Sequence, residues 1–175
     1  VSLKVGKGEI VGIYGAIGAG HFDLARALFG MYRFDSATIS VDGKVFPARF
    51  SAGYAIDHGL AYATESRRKS LFMDEPIYRN VVMPHLRRIG IVPRPKRELE
   101  VATPAIRRVN VHPGDPMNPV GQLSGGNQQK VVIARWVTYP PKVFLMSEPT
   151  RGMDVGAKSE VLSILRDFRS QGYGL

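Results

Sequence analysis

The chain has 175 residues, 44% hydrophobic and 22% charged, a balance that excludes a disordered segment and allows one domain with a real core. No apolar run nears the ~20 residues of a membrane-spanning helix, "VSLKVGKGEI" lacks the apolar core of a secretion signal, and with no cysteine there is neither a disulfide framework nor thiolate chemistry. The net charge of +9 favours anionic partners such as nucleotide, nucleic acid or an acidic membrane face. It gathers in "ESRRKS" (65–70), "HLRRIGIVPRPKRELE" (85–100) and "AIRRVN" (105–110), where a solvated helical surface is the default reading.

In chain order, "GEIVGIYG" (8–15) is a short β-branched run ending in glycine and predicts a buried strand. "FDLARALFG" spaces Leu24 and Leu28 four apart and predicts a helix. "TISVDGKVF" (38–46) sets Asp42-Gly43 between alternating apolar residues, a hairpin pattern. "HGLAYAT" (58–64) reads as another strand. From about 75 to 138 the pattern turns helical, and prolines 84, 93, 95, 104, 113, 116 and 119 are expected to cut it into short helices and loops. "KVFLMSEP" (142–149) predicts a third buried strand, and "GAKSEVLSILRDF" (156–168) an amphipathic helix on Val161, Leu162 and Leu165. Strands, a helical stretch, then strand and helix describe an α/β core with an inserted helical part.

Between the first strand and the first helix stands "GAIGAGHF". Gly15 and Gly20 occupy the framing positions of a phosphate-binding loop, G-x-x-x-x-G-K-[ST], but His21 and Phe22 stand where lysine and a hydroxyl belong. Such a loop works through amides around a β-phosphate, a lysine on the β/γ oxygens and a hydroxyl on Mg²⁺. The glycine frame preserves the amides. An imidazole is mostly neutral at pH 7 and is a poor substitute for lysine, and Phe22 has no oxygen to offer a metal.

The most specific stretch is "QLSGGNQQKVVIARW" (122–136), in which Ser-Gly-Gly leads into an apolar helix at Asn127, followed after a short interval by a strand ending in "SEPTRGMD". Together with "GEIVGIYGAIGAG", "TESRRKSLF" and "EPTRGMDVGAKSEV", this resembles the nucleotide-binding domain of ABC transporters, in particular the second such domain of tandem sugar-import ATPases of the ribose, galactose or xylose type. The resemblance implies an α/β fold: a P-loop NTPase core of ABC type with an antiparallel β portion and an inserted helical subdomain. The core is expected at 1–75 and 139–175, with the helical subdomain at about 76–138.

On that resemblance, Gly15, Ala16, Gly18, Ala19, Gly20, His21 and Phe22 form the phosphate loop, Glu65 lies at the Q-loop position, Glu148 is the general base, and Asp154 belongs to the D-loop. Leu123, Ser124, Gly125, Gly126 and Gln128 form the signature, which would close on the nucleotide of a second, head-to-tail domain. There the glycines admit backbone amides to the γ-phosphate, Ser124 adds a hydroxyl and the helix directs its positive end at the anion. The aspartate expected before Glu148 is Ser147, so two metal-holding positions are lost together. The resemblance therefore implies weak ATP binding at this domain's own loop, a doubtful Mg²⁺ site with no metal ligands, and little hydrolysis by the chain alone.

The implied partners are a second ABC domain, expected in the same full-length chain, and transmembrane permease subunits, with an external sugar-binding protein reached indirectly. The implied location is the cytoplasmic face of the membrane. Tyr78, Asn80 and Met83 are a candidate permease-docking face, with core packing by Val81, Val82 and Met83 the competing reading. The family's adenine-stacking aromatic and switch histidine have no counterpart here, so a piece of a longer second domain is expected. Two alternatives stand beside this reading: a nucleic-acid-associated ABC-type ATPase, and an ABC-like structural module that binds no nucleotide. The first is disfavoured because the Gly20-to-Leu123 interval has no cysteine for zinc and no sustained heptads, so no nucleic-acid partner is expected.

Overall fold

A computed structural model describes residues 2–16, 18–90 and 92–175. Val1, Ile17 and Ile91, which fall within the N-terminal, glycine-loop and 85–100 stretches read above, lie outside the described residues. The chain forms two compact units, one comprising residues up to Tyr62 with Pro141–Ser147 and Leu165–Leu175, the other Ala63–Pro140 with Glu148–Ile164.

The first unit holds helix α1 (His21–Leu28), strands β1 (Ser40–Val41) and β2 (Lys44–Val45), helix α2 (Ala52–Asp57), most of β3 (Leu60–Ala63) and all of β4 (Val143–Met146). β1 and β2 pair antiparallel, Ser40 opposite Val45. Asp42 and Gly43 take φ of 53° and 77°, the left-handed pair that a two-residue hairpin turn demands. β3 and β4 are hydrogen-bonded neighbours. Beyond β4 the ladder continues to Gly174, which bridges Val143 in the parallel sense. Leu175 then exchanges bonds with Glu9 and Val11 at 2.9 Å each.

Those two bonds are the ladder contacts of 8–15, and the expected buried strand does not form there. Ile10 and Ile13 are each 50% exposed and Tyr14 is 99% exposed. The apolar alternation is present, but a strand needs paired backbone along its length and a covered face, and among the described residues this stretch has neither. β4 is likewise only partly covered: Phe144 is fully buried while Val143, Leu145 and Met146 are half-buried.

The second unit is helical. α4 (Ile77–Val82), α6 (Pro95–Arg108) and α7 (Gly125–Val137) pack on one another, with α3 (Arg67–Ser70) against α7 and α5 (Leu86–Ile89) joined to α4 by a 3₁₀ turn over Met83–His85. Helix α8 (Val155–Ser170) gives the unit its first part, up to Ile164. The core is Ile77, Val81, Ala102, Ile106, Val131 and Ile133, all nearly or wholly buried. α7 is covered on every side from Gln129 to Val137, the pattern of a central helix rather than a surface one.

Two sequence expectations need correction here. Pro104 does not break the chain: α6 runs through it. The ring faces solvent, and the ~3 kcal/mol cost of an interior proline is offset because its neighbours Ala102, Ala105 and Ile106 are buried. Tyr78 and Asn80 do not form a docking face, being 3% and 0% exposed. Asn80 spends its amide inside the fold: Oδ1 accepts from Phe72 N–H and Nδ2 donates to Phe72 O, both at 2.9 Å. Its charge-free polar head reads as surface in sequence, but here it satisfies a loop backbone that would otherwise be unpaired.

Candidate functional site

The glycine loop belongs to the first unit. Gly18 and Gly20 have φ of 88° and 83°, conformations that a side chain resists, and Ala19 N–H closes a turn on Ala16 O at 3.0 Å. Gly15 is required for a different reason: a Cβ there would stand 2.9 Å from Ala19 Cβ. Gly20 is the N-cap of α1 and supplies no side-chain acceptor, so the first amides of the helix are free to face an anion. His21 opens that helix, its ring 4.2 Å from that of Phe22, and its Nδ1 is buried with no hydrogen-bond partner. The backbone therefore suits a phosphate.

The metal positions do not fit a divalent cation. Phe22 carries no oxygen, and Ser147 is 5% exposed with its Oγ 3.2 Å from the Tyr62 hydroxyl. A buried hydroxyl joined to a phenol is satisfied already, and neither group carries the charge that Mg²⁺ selects.

The remaining predicted residues belong to the second unit. Antiparallel contacts between 73–78 and 116–121, centred on the Pro76–Pro119 bridge, lead the chain into the signature. Leu123 is buried, and Ser124 caps α7, accepting from Asn127 N–H at 3.4 Å and Asn127 Nδ2 at 3.1 Å. The helix begins at Gly125, two residues before the expected Asn127, because a serine cap fixes the start at the residue that follows it. Asn127 Oδ1 accepts from His112 N–H at 2.8 Å, and Gln128 Nε2 donates to Leu123 O at 3.0 Å. Lys130, almost fully buried, reaches Asn110 O at 2.9 Å and Glu160 Oε2 at 2.5 Å. "NQQK" and "KSEV" thus meet through one ion pair.

Both signature glycines sit at close internal approaches. A Cβ on Gly125 would lie 2.7 Å from Arg67 Nη2, and one on Gly126 would lie 2.7 Å from Ala157 Cβ. The second contact sets α7 against α8, which follows the predicted D-loop residue: Asp154 Oδ1 accepts from Ala157 N–H at 2.8 Å. Ala157 is backbone-anchored and cannot swing aside. Gly126→Ala is accordingly expected to lower unfolding free energy by about 1–3 kcal/mol, the usual range for overpacking, read from the urea midpoint at unchanged slope.

Glu148 follows β4 with φ 47°, a left-handed conformation that costs a non-glycine residue ~1 kcal/mol or more. Its Oε2 meets Arg151 Nη1 at 2.8 Å, and Arg151 N–H closes the turn on Glu148 O at 3.1 Å. The predicted base is therefore held by a cation three residues on. Glu65 lies half-buried in the loop before α3, beside Thr64, whose hydroxyl meets Ser70 Oγ at 2.9 Å. Sequence reading gave no individual role to Tyr62 or Arg151, and took Arg67 only as part of the basic run 65–70, either a plain basic loop or a contact with the permease or the nucleotide phosphates. Tyr62, Arg151 and Arg67 engage Ser147, Glu148 and Gly125 respectively.

The profile of the family described as "ABC transporter" matches residues 1–151. The chain belongs to the ABC transporter family. The ribose import ATP-binding protein RbsA of Bacillus subtilis is 39% identical to this ABC domain over its whole length, and the fructose import ATP-binding protein FruK of Bifidobacterium longum is 38% identical. The domain spans 36% and 34% of those two proteins, about a third of the length of the curated relatives it matches. Its fold is that of solved ATP-binding cassettes. A nucleotide-free cassette from an ABC transporter superposes with TM-score 0.80 at 18% identity, over 99% of this chain and 71% of its own. CbiO1 of Clostridium perfringens gives 0.79 at 21%, over 98% and 66%. The α/β ABC architecture expected from the motifs is thereby established.

Proposed function

We propose that this ABC domain is the degenerate half of a paired ATPase for carbohydrate import. Its own loop, Gly15 to Phe22, binds ATP weakly, and its signature, Leu123 to Gln128, completes the catalytic site of a second ABC domain. The division of the chain into a core (1–75 and 139–175) and a helical subdomain (about 76–138) is part of this proposal. So are Glu65 as a nucleotide-facing residue, Asp154 at the contact between domains, and Glu148 as a base left without a metal beside it. The observation that carries the reading is the asymmetry between two half-sites in one chain. Phe22 and the buried, phenol-bonded Ser147 offer nothing to Mg²⁺, while the signature helix is capped by Ser124 and braced by Asn127 and Lys130.

The sugar class is suggested by the functions the relatives are named for, ribose and fructose import. Permease subunits in the membrane, an external sugar-binding protein and a position on the cytoplasmic face follow from the same likeness. No helix among the described residues is long and apolar enough to cross a membrane, which suits a peripheral subunit, and the +9 charge suits an acidic leaflet.

The test is ATP turnover by this chain alone and mixed with an ABC domain that carries an unbroken G-x-x-x-x-G-K-[ST] loop. Alone, turnover is expected near background. In the mixture it is expected to rise, and Ser124→Arg in this chain is expected to abolish the rise, because the bulky cation fills the phosphate-facing cap. Mg²⁺-dependent turnover by the chain alone at ~1 s⁻¹ or faster, an ordinary enzyme rate, would refute the proposal.

A further inference from the structure

We infer that Arg67 is a positioning residue that fastens the signature helix and the Glu148 turn into one mechanical piece. Arg67 opens the single turn of α3. Its Nη1 donates to Arg151 O at 2.9 Å, and its plane lies along the first residue of α7. A Cβ at Gly125 would be 2.7 Å from Nη2, 3.2 Å from Cζ and 3.5 Å from Nε, and one at Gly152 would be 3.9 Å from Nη2. Arg151, gripped at its carbonyl, spends its own Nη1 on Glu148 Oε2 at 2.8 Å. A continuous line of contacts thus runs from Gly125 through Arg67 and Arg151 to Glu148.

Two features say that this position is imposed by the fold rather than chosen by a loose side chain. A cation at the positive end of a helix is disfavoured, and Arg67 Nε is buried without an acceptor. The contacts that hold it combine one donor, on the Arg151 carbonyl, with a flat surface packed on Gly125; a lysine ammonium can reach the carbonyl but has no plane to lay on the glycine. Gly125 is then a glycine partly because the guanidinium occupies the space of its side chain. The consequence for catalysis rests on the reading proposed above: a signature that engages a partner's nucleotide would move together with the Glu148 turn.

Amide hydrogen exchange of the full chain tests the tether without any turnover. The reporters are Gln128 N–H, bonded to Ser124 O at 2.9 Å, and Arg151 N–H, bonded to Glu148 O at 3.1 Å, with Ile133 in the buried body of α7 as control. Arg67→Ala is expected to speed exchange at both reporters by about tenfold, the loss of one modest hydrogen bond's worth of local protection, and to leave Ile133 unchanged. Arg67→Lys is expected to restore Arg151 but not Gln128. Gly125→Ala, which displaces the guanidinium while suiting a helix, is expected to reproduce Arg67→Ala, and the double variant to be no worse than either.

Acceleration at one reporter only in Arg67→Ala, at neither, or effects that multiply in the double variant would overturn the inference. With the second ABC domain present, Arg67→Ala is expected to lower kcat about tenfold at unchanged KM. A wild-type mixture without turnover would sink the paired-ATPase reading, while the exchange result would still decide the tether.

Discussion

Arg135→Ala is expected to lower the unfolding free energy of the chain by about 3–5 kcal/mol, the largest single-residue effect on stability. Arg135 lies near the end of α7, 8% exposed, with no carboxylate partner among the described residues. Its Nε donates to Asn80 O and its Nη1 to Ser70 O, both at 2.9 Å, and Nη2 to Asn80 Oδ1 at 3.4 Å. One side chain thereby satisfies the last carbonyl of α3 and the middle of α4 from α7. Truncation leaves the buried Asn80 carbonyl and the half-buried Ser70 carbonyl without this partner, at about 1–3 kcal/mol each, before the cavity is counted.

A lysine at 135 is expected to recover little of the loss, because a single ammonium cannot fork to carbonyls on two helices. Burial holds the guanidinium well below its ordinary pKa, at about 10, so it remains charged at neutral pH. The sign follows from proton binding: above pH 10 the folded chain holds fewer protons at this site than the unfolded chain, so the cost of burying the charge eases only as pH rises through that alkaline window. Between pH 6 and 8 the Arg135 contribution is flat. Urea unfolding of wild type and variant at pH 7 measures the difference, and a loss under 1 kcal/mol would show that the three hydrogen bonds contribute little beyond what water supplies.

The hairpin at Asp42-Gly43, the helical stretch and the apolar helix after Ser124-Gly125-Gly126 were legible in sequence because each rests on local rules, a turn that demands positive φ or apolar periodicity. The serine cap that starts that helix at Gly125 was missed. What escaped reading was decided at a distance. Nothing near 8–15 announces that, among the described residues, its ladder bonds reach only Leu175, and nothing near Asn80 announces that the Phe72 backbone needs it. Tyr62 lies 85 positions from Ser147, so a serine where the resemblance expects an aspartate was visible while the phenol that satisfies its hydroxyl was not. Gly125 and Gly126 were read as openings for a phosphate. The fold adds a second constraint, since Arg67 and Ala157 fill the room their side chains would need. Motif glycines carry both requirements, and sequence alone shows only that a side chain is absent.

The second large effect is a gain. His21→Lys, Phe22→Thr and Ser147→Asp in one chain are expected to create Mg²⁺-dependent binding of a fluorescent ATP analogue, about a hundredfold tighter than wild type. The backbone needed for it is in place: Gly18 and Gly20 hold left-handed φ, and the first amides of α1 have no side-chain cap. What is missing is charge. A lysine on the β/γ oxygens and a carboxylate at the cation each add a charge-assisted interaction of about 1.5–3 kcal/mol, so two at the lower end give roughly 3 kcal/mol, or a hundredfold.

The three changes are not expected to be additive. Ser147→Asp alone places a carboxylate against the Tyr62 hydroxyl in a site that is 5% exposed, which without a metal should cost stability rather than add affinity. Phe22→Thr alone gains a hydroxyl but loses the ring packed on His21 at 4.2 Å. Only the triple variant supplies a cation with ligands on both sides and a lysine on the phosphates, so its affinity is expected to exceed the product of the single effects and to collapse to the wild-type value in EDTA. Equal affinity with and without Mg²⁺ in the triple variant would mean that the loop cannot cradle a triphosphate even when correctly charged. The chain would then be an ABC-like module whose nucleotide contacts, if any, lie entirely on its signature side.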